Sequence, residues 1–144
     1  MKKIIILIFG ILIVILAVYI FFYDSLPPRT PQKIARLISG LHVPRDARVE
    51  KYEEQWNAFN GNGYSLIILS LEKEAFNKIY NRAKSLNYQE LPIKEVLNGP
   101  INSFLPKKSN GIYEVQFSNK ENMSYSISLL NNVDNTLLIY VASN

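Results

Sequence analysis

A chain of 144 residues with sixteen Lys and Arg against twelve Asp and Glu carries a net charge of +4, and only +2 once Lys2 and Lys3 are set aside. That is too mild for a nucleic-acid reader, which would show a basic stripe. The lack of cysteine removes disulfides, thiolate chemistry, cysteine-ligated zinc and an acylated lipoprotein anchor together.

The first element is the run 4–23, twenty residues with no charged side chain, of which sixteen are Ile, Leu, Val or Phe. As a helix it spans roughly 30 Å, the thickness of a bilayer's hydrocarbon core. On the insertion scale those sixteen residues favour the membrane by about 5–10 kcal/mol. A cleaved signal peptide is the alternative, because Lys2 and Lys3 form a basic leader. The run exceeds the ~7–15 residues of a signal core, however, and no small-x-small site follows Tyr19-Ile20-Phe21-Phe22-Tyr23-Asp24. The expectation is an uncleaved anchor over 1–23, a single pass through the plasma (inner) membrane. Its N-terminus is expected in the cytoplasm, with Tyr19 and Tyr23 at the outer interface. In a bacterium the remainder would face the periplasm or cell surface.

Residues 24–30 hold Pro27 and Pro28 and read as a stiff connector. Thr30-Pro31 then starts a helix, with a hydroxyl cap followed by proline at the first helical position, and Gly40 stops it. Ile34, Leu37 and Ile38 make its apolar face. Lys33 and Arg36 fall on the other side, as solvated charges or within reach of anionic headgroups.

Val49 through Trp56 reads as a strand, and Asn60-Gly61-Asn62-Gly63 as a hairpin turn. The nearly all-apolar run 64–71 reads as a central strand buried on both faces. Residues 72–87 place Phe76, Ile79, Tyr80, Ala83 and Leu86 at helical spacing. The stretch 88–110 reads as irregular apart from a short helix at 93–97. Three strands close the chain at 112–118, 123–129 and 137–142. In these, Tyr113, Val115 and Phe117 are expected inward, and Glu114, Gln116, Ser124, Ser126 and Ser128 outward. The order predicts an α+β domain over 31–144: one antiparallel sheet of about five strands with helices on one face.

Chemical signals are sparse. His42 is the single histidine, without the partners that a triad or a histidine-led metal site requires. Glu50, Glu53, Glu54 and Asp46 form the densest acidic cluster, and a carboxylate-dependent hydrolase of envelope polymers is the enzymatic alternative. Gly61-Asn62-Gly63 lacks the lysine and hydroxyl residue of a phosphate loop. No catalytic residue, metal or cofactor is therefore expected. Tyr52, Trp56, Phe59 and Tyr64 cluster around the hairpin, either as core or as a binding edge. The candidate partner-binding set is Trp56, Phe59, Asn60, Asn62 and Tyr64.

Residues 38–44, Ile-Ser-Gly-Leu-His-Val-Pro, lead to a strand and then to Phe59-Asn60-Gly61-Asn62-Gly63-Tyr64. This arrangement resembles small uncharacterised bacterial envelope proteins with an N-terminal membrane segment. The resemblance implies no activity and no site residue. The resulting expectation is a membrane-tethered protein-interaction module with a partner in or near the same membrane. An immunity-type protein and an accessory subunit of an envelope complex fit it equally.

Overall fold

The computed structural model describes residues 2–23, 27, 29–58, 61–97, 100–105, 110–119 and 124–143. Phe59, Asn60 and much of the 24–30 connector lie outside them. Helix α1 (Lys2–Phe21) takes up the apolar run. Its large side chains from Ile8 onward are mostly more than half exposed. Among the described residues no helix is long and apolar enough to cross a membrane. On α1 the side chains are described from Ile8 to Phe21, which amounts to about 21 Å of rise.

Helix α2 (Pro31–Ser39) begins as its sequence dictates. Thr30 Oγ1 accepts a hydrogen bond from the Lys33 N–H at 3.3 Å, and Gly40 closes the helix in the left-handed conformation. Ile34 and Ile38 pack on the core, but Leu37 is half exposed and Ala35 and Ser39 are buried instead. Lys33 is likewise not a solvated charge: it is buried with its ammonium 3.9 Å from the centre of the Tyr23 ring.

Six strands follow, one more than expected: β1 (Arg48–Trp56), β2 (Gly63–Ser70), β3 (Gln89–Glu90), β4 (Gly111–Asn119), β5 (Ser124–Asn131) and β6 (Thr136–Ser143). All neighbours are antiparallel, in the order β1-β2-β6-β5-β4-β3. Helix α3 (Lys73–Ser85) carries the chain from β2 to the far edge, and the last three strands fill inward. Strand β6 ends between β2 and β5, a position that requires apolar side chains on both faces. Its Leu137, Leu138, Ile139 and Tyr140 supply them, all nearly fully buried. The extra strand β3 is only two residues long, too short to leave a periodic pattern.

Opposed residues of paired strands share a face, so the register sorts the sheet into rows. On one face, the row Val49, Leu69, Leu137, Leu130, Ile112 is apolar throughout. Phe76, Ile79 and Ala83 of α3 and Ala35 of α2 belong to the same cluster as its buried members.

The other face carries a second core of Leu66, Tyr113, Tyr125, Ile127, Leu129, Leu138 and Tyr140. Layering is therefore not confined to one face. Leu97 and Ile101 are buried in this core, with Leu91, Ile93, Phe104 and Leu105 packed against it. The segment expected to be merely irregular thus covers half the sheet. No helix forms at 93–97; the short helix is α4 (Ile101–Phe104). The Lys94 N–H donates to Tyr113 Oη at 3.0 Å, which ties this non-helical stretch to the sheet.

Candidate functional site

Beyond the reach of α2 and α3, the helix-side face turns polar row by row. The row next to the apolar one reads Tyr52, Ile67, Ile139, Ser128, Glu114. The next reads Glu54, Ser65, Val141, Ser126, Gln116, and the last begins Trp56, Gly63, Ser143. Tyr52 and Trp56 are each 44% exposed on this face. Ser65 Oγ donates to Glu54 Oε1 at 3.4 Å, and Ser124 Oγ to Ser143 Oγ at 3.3 Å, which ties the lane together across the strands.

The polar residues expected to face outward do lie on one face, but on the side of the helices. Ser128 is buried there, beside the Tyr88 hydroxyl. Of the residues expected inward, Phe117 is 54% exposed, although Tyr125 and Ala142 of its row are buried in the opposite core.

Local geometry fixes the hairpin that carries the aromatic residues. Trp56 pairs with Gly63, and the Asn57 N–H donates to Asn62 O at 2.7 Å inside the connection. A Cβ on Gly63 would sit 1.9 Å from Gln55 O, so the strands close at this point only around a glycine. Asn62 is exposed at the tip.

The register separates the expected partner-binding set. Tyr64 faces the opposite core, where its ring stacks on Tyr140 at 5.6 Å and meets Phe104 at 6.3 Å. Its hydroxyl donates to Glu53. Trp56 is therefore grouped with Tyr52 and Glu54, and Tyr64 with the covered core. Alternation along a strand signals this division, since Trp56 and Tyr64 lie on either side of a turn whose length decides their relative face.

The acidic cluster is divided in the same way. Glu53 and Glu54 point to opposite faces of β1, so the pair that two-carboxylate hydrolysis needs does not form between them. Glu50 sits at a β-bulge and is bridged by Arg48 at 3.3 Å; Glu53 is bridged by Lys51 at 3.0 Å. The Tyr64 hydroxyl, and secondarily Lys51, hold the Glu53 carboxyl below its ordinary pKa. Partial burial, reinforced by the Glu54 carboxylate, pushes the Tyr52 phenol up to about 12, so it remains a neutral donor at physiological pH.

His42 lies exposed on the loop after α2. Among the described residues no group of three or more His, Cys, Asp or Glu is placed to hold a metal ion. No known family model matches the chain, and no curated protein shows significant similarity to it.

Proposed function

We propose that this chain is a single-pass membrane-anchored protein whose extracytoplasmic domain binds a protein partner through the polar-aromatic end of its sheet. The anchor reading rests on the uncharged run 4–23, whose roughly 30 Å of helical rise matches a bilayer core. With the short basic N-terminus inside, residues 24–144 face outward, and the proline-containing connector keeps the domain close to the bilayer.

One observation carries the binding reading: Trp56 and Tyr52 are both 44% exposed on β1, at the edge of the helix-side face, while Ile67 and Ile139 of the Tyr52 row are buried with the helices. Trp and Tyr offer large contact area at low entropic cost and are enriched in protein-contact hot spots. Glu54 lies between them on β1, and Ser126 and Gln116 continue its row of hydrogen-bonding groups three and four strands away. An immunity-type protein that neutralises an incoming toxin, or an accessory subunit of an envelope complex, would use such a surface.

Crosslinking in whole cells followed by pull-down tests this reading. Wild type should enrich a partner from the same membrane or its immediate surroundings, and Trp56→Ala should lose it while the domain still melts cooperatively. No enrichment with wild type refutes the interaction reading. Protease added to spheroplasts should digest residues 24–144 while the N-terminal fragment stays with the membranes. A soluble form beginning near Asp24 would reverse the anchor reading in favour of a cleaved signal peptide.

A further inference from the structure

Where α1 ends, a cleft of ≈ 440 Å³ opens between Ile20, Phe21 and Tyr23 on one side and α2 with its exit loop on the other. Its far wall carries Arg36, His42 and Arg45, together with the half-exposed Leu37. Tyr23 stands between two cations: Lys33 Nζ is 3.9 Å from its ring centre and Arg45 Cζ is 4.2 Å. Arg36 is fixed as a wall of the cleft, because its Nη1 donates to Val43 O at 2.9 Å. Tyr19 packs edge-on against Tyr23 one helical turn earlier, so the cleft begins where the interfacial aromatic residues end.

We infer that this cleft is a binding site for the phosphate headgroup of an anionic membrane lipid; the inference rests on the anchor reading above. Two arginines lining one cavity, Arg36 and Arg45, favour an anion, and arginine presents the planar donor fork that suits phosphate. The apolar end of the cleft then selects a lipid over a free anion. Ile20, Phe21 and Leu37 line the same cavity and give acyl chains or a glycerol backbone a surface continuous with the exposed flank of α1. The charge lies at the depth where lipid phosphates sit if α1 spans the bilayer. Headgroup binding there would also set the domain's orientation on the membrane, since the cations belong to α2 and its exit loop and the apolar wall belongs largely to α1.

The full-length protein, reconstituted in nanodiscs of mixed phosphatidylcholine and phosphatidylglycerol and ejected into a mass spectrometer, should retain phosphatidylglycerol in excess of its bulk fraction. One Lys or Arg near an anionic surface corresponds to about fivefold in relative lipid affinity. Arg45→Gln should therefore lower the enrichment about fivefold, and Arg36→Gln with Arg45→Gln should abolish it. Lys84→Gln, an exposed position on α3, should leave it unchanged. Arg45 is exposed, so its variant does not depend on the fold tolerating a lost core contact. Unchanged enrichment in folded Arg45→Gln and in the double variant overturns the site while leaving the anchor reading intact. Inorganic phosphate at low millimolar concentration that erases the enrichment also overturns it, by showing a site for a free anion. Release of the wild-type protein from membranes by alkaline carbonate overturns the anchor reading, and this inference with it.

Discussion

Replacing Ile101 by alanine tests whether the segment around it seals one face of the sheet. Ile101 is fully buried in the second core, on a helix of four residues that cannot sustain itself in isolation. The substitution removes three carbons, or about 2.4 kcal/mol of transfer energy at ~0.8 kcal/mol each. The cavity left behind raises the cost to about 3 kcal/mol, within the range for large-to-small core changes. A domain of this size has roughly 5–15 kcal/mol in total, so the variant should stay folded and lose about 12 °C in melting temperature. Urea denaturation gives the free energy, and hydrogen exchange gives the location. Amides at 91–105 should exchange much faster while β2, β5 and β6 remain protected. A loss below about 1 kcal/mol with unchanged exchange would refute the reasoning. The covering segment would then not seal its face of the sheet.

Gly63→Ala should cost more than about 2 kcal/mol in urea denaturation, because its Cβ would overlap Gln55 O at 1.9 Å and backbone must move. A neutral result would mean that the hairpin closes differently. Tyr64→Ala should destabilise by about 2 kcal/mol, since it removes the stack on Tyr140, and by clearly more than Trp56→Ala in the same thermal melt. The reverse ranking would make Trp56 the core residue. Glu53 has a folded pKa below its unfolded value, so its contribution is present above the unfolded pKa and is lost as pH falls through the folded one. In a carboxyl carbon NMR titration, Tyr64→Phe should move the Glu53 midpoint upward, and an unmoved midpoint would remove the Tyr64 hydroxyl as its cause.

Local signals were legible where one residue type has one physical use. Thr30-Pro31 and Gly40 bracket α2 as expected, the apolar runs become β2 and β6, and Phe76, Ile79 and Ala83 give α3 its buried stripe. What escaped was the second layer. Leu91, Ile93, Leu97, Ile101 and Leu105 follow no single period, because they cover the sheet from an extended segment and one short helical turn. Periodicity detects regular elements and is blind to apolar residues delivered by loop. The same blindness hid the split of the aromatic group. Which face Tyr64 takes relative to Trp56 depends on seven intervening residues, and composition alone does not fix that register. Lys33 differs for another reason: its ammonium meets the ring of Tyr23, ten residues earlier, a contact that no local period marks.

The sheet offers a partner either an edge or a face, and the placement of charge decides between them. Strand β1 is a nine-residue edge, long enough for an added strand. It is interrupted by the bulge between Val49 and Lys51 and carries Arg48, Glu50, Lys51, Glu53 and Glu54 along its length. Bulges and charges are the devices by which edge strands resist pairing. The opposite edge is partly capped by β3, which pairs with Tyr113 and Ile112 and leaves the distal half of β4 open. That distal half ends in its own register shift between Phe117 and Asn119, which again spoils continuous pairing. Both edges are thus defended, whereas the helix-side face carries two large amphipathic side chains, Tyr52 and Trp56, that α2 and α3 leave 44% exposed. Under the binding reading proposed above, a partner that inserts between these rings gains their area without displacing any ladder hydrogen bond, which favours the face over the edge.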